Sequence, residues 1–240
     1  MVAAAQSDAD SCKGRLILLR HAQGMLGTDD YDRLSPTGKT QAALLGQRMA
    51  LVRERAWPVW SGALRRHRQT LGSLAATGVV HIDPCLNEYR VDHLLRSARE
   101  QADTLGLRPP PDSAFDNPVR FLETFMAWFP TVLATWQEGG LRDPGNGSWK
   151  AFSERVGRAV PVWQRHLKRG RPVVVVTSAG VISTLVAALC GYGLEWQRQC
   201  NVSLYNASVT ELNWVDAERW EIERLNCVVH LAEQGLQTLA

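Results

Sequence analysis

Residues 15–24, Arg15-Leu16-Ile17-Leu18-Leu19-Arg20-His21-Ala22-Gln23-Gly24, set four large aliphatics directly before a cation and an imidazole. An unbroken aliphatic run of this kind reads as a strand buried on both faces, as in a parallel sheet. In open α/β sheets, ligands bind just beyond the carboxyl ends of the strands. Arg20 and His21 therefore stand where such a fold does its chemistry. The plainer reading is a strand that reaches the surface in two solvated polar residues, so other parts of the chain must decide.

Working outward, residues 24–33 are polar and read as a surface loop. Ser35 is a candidate N-cap with Pro36 at the first helical position, and the helix is expected to run to about Arg55. Ala42, Leu45, Met49 and Val52 would share its buried face. A short strand at Pro58–Ser61 leads into the densest cationic stretch, Leu64-Arg65-Arg66-His67-Arg68-Gln69-Thr70, which should open a helix at a strand's carboxyl end. Helix N-termini and arginines both attract phosphate, although a solvated basic face is the commoner fate of such runs. Val79–Asp83 is a further strand candidate, and Glu88 follows just beyond it. Arg20 with His21, then Arg66, then Glu88 thus sit at successive strand ends. A nucleophile, a phosphate clamp and a carboxylic acid on one rim are more specific together than any one of them alone.

Residues 91–147 are punctuated by Pro109-Pro110-Pro111 and Asp143-Pro144-Gly145-Asn146-Gly147 and carry an aromatic helix, Phe121 to Trp136. This block is expected to be a cap or insertion over the strand ends, with Trp128, Trp136 and Trp149 either in the core or lining an apolar pocket. Trp149 to Leu167 reads as one helix. Val173–Thr177 is the strongest buried-strand signal, turning at Ser178-Ala179-Gly180 into the apolar helix Val181 to Leu189. That layout presents a backbone nest to a phosphate. Val202–Tyr205, Val209–Trp214 and Trp220–Leu225 read as closing strands.

The bulk numbers agree with a single α/β domain over 14–240 after a loose leader at 1–13. The net charge of +3 shows no long basic run, so nucleic acid is not an expected partner. Five scattered cysteines without metal or redox spacing point to reduced thiols and a cytoplasmic location. No apolar run approaches the ~18 residues of a membrane span.

These motifs, in order over about residues 15–231, resemble those of the histidine phosphatase superfamily, whose fold is called phosphoglycerate mutase-like. Leu18-Leu19-Arg20-His21-Ala22 is similar to its first motif, and Leu34-Ser35-Pro36 with Gly38, Gln41 and Ala42 to its next helix start. Ser61 to Thr70 resembles the segment of its second phosphate arginine, Leu86-Asn87-Glu88 its acid motif, and Val173 to Ile182 the strand and turn of its second histidine. Ser208 to Leu212 and His230-Leu231 resemble its closing strands and tail. The resemblance implies a three-layer α/β/α sandwich with a mostly parallel sheet and phosphoryl transfer through a phosphohistidine. By position His21 would be the nucleophile, Arg20 and Arg66 the clamp and Glu88 the proton donor, with Gln23, Ser178 and Ala179 as further substrate contacts. No cofactor or metal is implied. The expected partner is a small phosphorylated metabolite; the oligomeric state is not legible.

Three positions depart from the family's pattern. Its second histidine falls on Ser178, the glycine after the nucleophile is Ala22, and a polar phosphate contact falls on Gly27. Losing one preorganised donor at a developing oxyanion costs about 3–4 kcal/mol, or roughly 10²–10³ in rate. A slowed phosphatase is thus the first expectation, a phosphate-binding pseudoenzyme the second and a phosphomutase the third. His67 and His93 are the candidates to restore the missing group.

Overall fold

The computed structural model describes residues 14–25, 30–114, 118–216 and 219–239, so the leader at 1–13 and the position of Gly27 lie outside the described residues. Strands β1 (Gly14–Arg20), β2 (Val59–Ser61), β3 (Val80–Ile82), β4 (Val173–Thr177), β5 (Val209–Trp214) and β6 (Trp220–Cys227) form one sheet in the order β3-β2-β4-β1-β5-β6. The first four are mutually parallel, while β5 and β6 run antiparallel at one edge. The helices are α1 (Pro36–Arg48), α2 (Ala50–Glu54), α3 (Arg65–Ser73), α4 (Val91–Glu100), α5 (Ala102–Leu105), α6 (Pro118–Gln137), α7 (Trp149–Gly157), α8 (Val160–Leu167), α9 (Ala179–Cys190) and α10 (Leu194–Ser203).

The two-residue period of a strand divides the core in two. Leu16 and Leu18 of β1, with Val173 and Val175 of β4, pack among residues of α4 and α6 to α10. Ile17, Leu19, Val174 and Val176 face the other way, onto α1, α2 and α3. The result is the expected three-layer α/β/α arrangement. Because both faces are covered, the central strands are continuously apolar rather than alternating. The register Arg20↔Thr177 brings the next residue of each strand, His21 and Ser178, side by side at the carboxyl edge.

Several local expectations change. The segment Val202–Tyr205 is not a strand: α10 ends at Ser203, and its buried Gln197, Cys200 and Asn201 follow helical spacing. A run of four residues is too short for its period to choose between helix and strand. The single helix expected over 149–167 is two helices, because Pro161 lies in the first turn of α8. Proline lacks the N–H donor and clashes with the carbonyl four residues back, so α7 stops and a new helix starts. The first long helix likewise divides at Met49, though Ala42, Leu45, Met49 and Val52 remain buried on one face. Trp128, Trp136 and Trp149 are core residues, and the Trp136 ring meets Trp149 edge-on at 5.3 Å. Among the described residues no helix is long and apolar enough to cross a membrane.

Candidate active site

The carboxyl edge of β1, β2 and β4 opens into a cavity of about 630 Å³. Arg20, His21, Arg66, Glu88 and Ala179 all line it, so four strand-end expectations converge on one space. Gln23 and Ser178 do not line it; the Gln23 side-chain oxygen accepts from the Ser35 hydroxyl at 2.7 Å, which ties the chain to the start of α1, and Ser178 is buried.

His21 is held from two sides. Its backbone N–H donates to Thr177 O at 2.8 Å, and its own carbonyl accepts from Ala207 N at 3.1 Å. Nδ1 lies 2.8 Å from the Ala22 carbonyl, and Nε2 lies 3.2 Å from Arg66 Nε. A carbonyl can only accept and a guanidinium can only donate, so the proton belongs on Nδ1 and the lone pair on Nε2. The contact to Ala22 uses only main chain, so alanine in place of glycine preserves it. Burial, and then the nearby Arg66 and Arg20 cations, hold this imidazole well below its usual range, hence neutral.

The two arginines are anchored differently. Arg20 donates through its guanidinium to Leu204 O, while its buried Nε has no partner among the described residues. Burial lowers its pKa to about 10 without discharging it at neutral pH. Arg66 donates from NH1 to Asp32 at 2.7 Å, and Tyr31 lies under its guanidinium at 5.1 Å. Asp32 also accepts from the N–H of Arg65 at 2.8 Å, so it caps α3, whose own N-cap residue Leu64 has no side-chain acceptor. Asp32 and Tyr31 belong to the polar stretch read as a surface loop. The available signal was the cap that α3 lacks.

Glu88 is half-buried, and its carboxylate accepts from Gly180 N at 2.8 Å and Tyr89 N at 3.1 Å. Burial raises its pKa despite those two N–H groups and the nearby arginines. Position 180 has to be glycine here: a Cβ would stand 2.4 Å from Glu88 Oε1. Neither of the two candidate histidines lines the cavity: His67 is buried beside His21, its ring centroid 5.5 Å away, whereas His93 packs against Gly145 and Asp92.

Such a rim offers a neutral nitrogen nucleophile, two guanidiniums for an anion and a carboxyl group able to carry a proton. Neutral burial has a cost in acid. His21 and His67 both have folded pKa values well below the 6.5 of the unfolded chain. The unfolded state alone takes up those protons, so stability is full above pH 6.5 and falls as the pH drops below it. Each group adds up to about 1.4 kcal/mol per pH unit. Urea midpoints between pH 7.5 and 5 should therefore fall with acid, and less steeply in His67→Phe.

A sequence profile described as the histidine phosphatase superfamily (branch 1) matches residues 16–108 and 122–228. No match was found among curated proteins. Among solved structures, a mycobacterial glucosyl-3-phosphoglycerate phosphatase in complex with inorganic phosphate is 27% identical, with a TM-score of 0.60, covering 90% of this chain and 98% of its own. A putative alpha-ribazole-5'-P phosphatase from Escherichia coli K-12 is 22% identical, with a TM-score of 0.59 and 89% and 96% coverage. The Bacillus stearothermophilus protein YhfR is 21% identical, with a TM-score of 0.62 and 91% and 99% coverage. These last two speak to the fold alone. Motif order, sheet topology and a matched length well beyond half of the sequence agree: this chain belongs to branch 1 of the histidine phosphatase superfamily.

Proposed function

We propose that the protein is a phosphomonoester hydrolase in which His21 carries the phosphoryl group between substrate and water, and that its substrates are small phosphorylated molecules with an apolar alcohol part. The observation that carries the proposal is the unprotonated Nε2 of His21, set beside Arg66 in the cavity that Glu88 also lines.

A phosphomonoester carries nearly two negative charges, which repel an anionic nucleophile but not a neutral imidazole. On binding, phosphoryl oxygens would take the Nε–H of Arg66, freeing the His21 lone pair, and would meet the guanidinium of Arg20, which also lines the cavity. The N–P bond forms as the P–O bond to the alcohol breaks. Glu88 passes its proton to the departing oxygen. The imidazolium keeps its Nδ1 proton on the Ala22 carbonyl. Water then attacks phosphorus, Glu88 takes its proton, and the N–P bond breaks to release phosphate and neutral His21. Charge on the equatorial oxygens is the main load, so the guanidiniums are the main lever. A protein that only bound phosphate would have no use for a carboxyl group with a raised pKa at this place.

The apolar part of the cavity lining supports an apolar leaving group. Val91 and Leu95 of α4 and Phe125, Met126 and Phe129 of α6 belong to it, which supports the reading of residues 91–147 as a cap. Arg90, also in the lining, is paired with Asp92 at 3.3 Å. Phenyl or hexyl phosphate should exceed glycerol phosphate in kcat/KM by about tenfold or more, since each well-buried methylene is worth roughly 1 kcal/mol. Equal rates would remove the apolar assignment. Trapping of an acid-labile, labelled phosphoprotein tests the intermediate, and an unlabelled protein in the presence of turnover would exclude it.

A further inference from the structure

A second imidazole stands beside His21, and the phosphoryl-transfer steps above do not use it. The His67 ring centroid lies 5.5 Å from that of His21. His67 is 0% exposed and Ser178 is 1% exposed, and His67 Nε2 is 2.6 Å from Ser178 Oγ. The first comes from α3 and the second from the turn between β4 and α9, so the fold brings together residues 111 positions apart.

Ser178 occupies the N-cap position of α9 with the extended backbone of a capping residue, φ −114° and ψ 167°, yet its hydroxyl caps nothing. Serine is among the best N-cap residues because that oxygen normally accepts from the second or third N–H of the helix. Here the second N–H, of Gly180, goes to Glu88 instead. The hydroxyl is thereby withdrawn from the helix and given to His67.

The arrangement is not what packing alone would select. The His67 Nδ1 is buried without a partner among the described residues, and a Cβ at Gly62 would stand 2.2 Å from it. A buried polar atom left unsatisfied carries a free-energy cost, and each such atom calls for a reason. Its location also decides the tautomer. With no acceptor beside Nδ1, a proton there would be a stranded donor, so the proton belongs on Nε2 and is donated to Ser178 Oγ. The Ser178 hydroxyl hydrogen is then free to point elsewhere; Ser178 does not itself line the cavity, but it adjoins, across the β1–β4 register, His21, which does.

We propose that His67 is a positioning residue: it fixes the Ser178 hydroxyl as a hydrogen-bond donor to an equatorial oxygen of the phosphoryl group moving to His21. The proposal rests on the assignment of His21 as phosphoryl acceptor. Burial, with the adjacent Arg66 cation, keeps the His67 imidazole neutral, so it adds no third positive charge to the clamp. A neutral donor aimed at a developing charge is worth less than a charged one, about 10- to 100-fold in kcat.

The test is a double-mutant cycle on kcat and KM, using both p-nitrophenyl phosphate and an alkyl phosphate. Ser178→Ala and His67→Phe should each lose about 10- to 100-fold in kcat, with KM little changed and the same loss for both leaving groups. The double variant should be no worse than the poorer single one, because residues acting as a unit are not additive. His67→Gln, which keeps an N–H at the reach of Nε2, should recover most of the rate, a result that a purely structural role would not give. If His67→Phe does not fold, Ser178→Ala and His67→Gln carry the comparison. Single variants within about twofold of wild type, or additive losses in the double, would overturn the proposal while leaving His21 in place. A wild-type protein that neither turns over phosphomonoesters nor forms a phosphoprotein would overturn the assignment of His21, and this proposal with it.

Discussion

His21→Ala should lower kcat/KM for every phosphomonoester by about 10⁴- to 10⁶-fold and abolish the labelled phosphoprotein. The expectation follows from the geometry. Nε2 of His21 is a nitrogen lone pair already directed at Arg66 and held by two main-chain bonds and one ring contact. No water-activating group elsewhere on the rim could do the same work in one step, because a direct attack on a dianionic monoester forgoes the splitting of one hard displacement into two easier ones. Anion binding should survive. Arg20 and Arg66 are anchored through Leu204 and Asp32, not through the imidazole alone. The stabilisation of the variant by added phosphate, measured as a rise in Tm, should therefore stay close to that of wild type. Loss of activity together with loss of the phosphate-induced rise would mean a damaged pocket. Retention of more than about a tenth of the activity would remove His21 from the chemistry.

How much of this was legible in the amino-acid order follows from which forces are local. Arg15 to His21 could be read because a doubly covered strand must be apolar at every position, and the polar residues that end it are conspicuous. Val173–Thr177 was legible for the same reason. The Ser35–Pro36 helix start was legible because capping is decided within four residues, and Ser35 Oγ does accept from Gly38 N at 2.9 Å. Asp32 was not legible, because it caps a helix that begins more than thirty positions later, at Arg65. The pairing of His67 with Ser178 was equally out of reach: a histidine in a basic run has the local character of a surface residue, and only the packing of α3 beneath the sheet edge buries it. Asn201 is a further case. Its side chain holds the Tyr89 hydroxyl at 2.7 Å from the last turn of α10, directly before the stretch Val202–Tyr205 that reads as a closing strand.

Glu88→Gln should separate two substrates that wild type handles by the same steps. Glutamine keeps the shape and can still accept from Gly180 N through its amide oxygen, giving up only the longer bond from Tyr89 N, so the pocket should keep its form. It has no proton to give. An alkoxide is a poor leaving group, and the general acid that protonates it is worth about 10²- to 10⁴-fold; an alkyl phosphate should lose that much in kcat/KM. Nitrophenolate departs without protonation, so kcat/KM for p-nitrophenyl phosphate should fall far less. The second step also needs Glu88, now as the base that takes a proton from water. With p-nitrophenyl phosphate the variant should release one equivalent of nitrophenol in a burst and then stall as the phosphoprotein. The pH dependence has a definite sign. Burial raises the pKa of Glu88, and the first step requires its protonated form. The wild-type rate on an alkyl phosphate should therefore decline as the pH rises through that raised value, and this basic limb should be missing in Glu88→Gln. Equal losses on both substrates with no burst would mean that Glu88 only shapes the pocket, and the proton for the departing oxygen would have to be sought at another group on the rim.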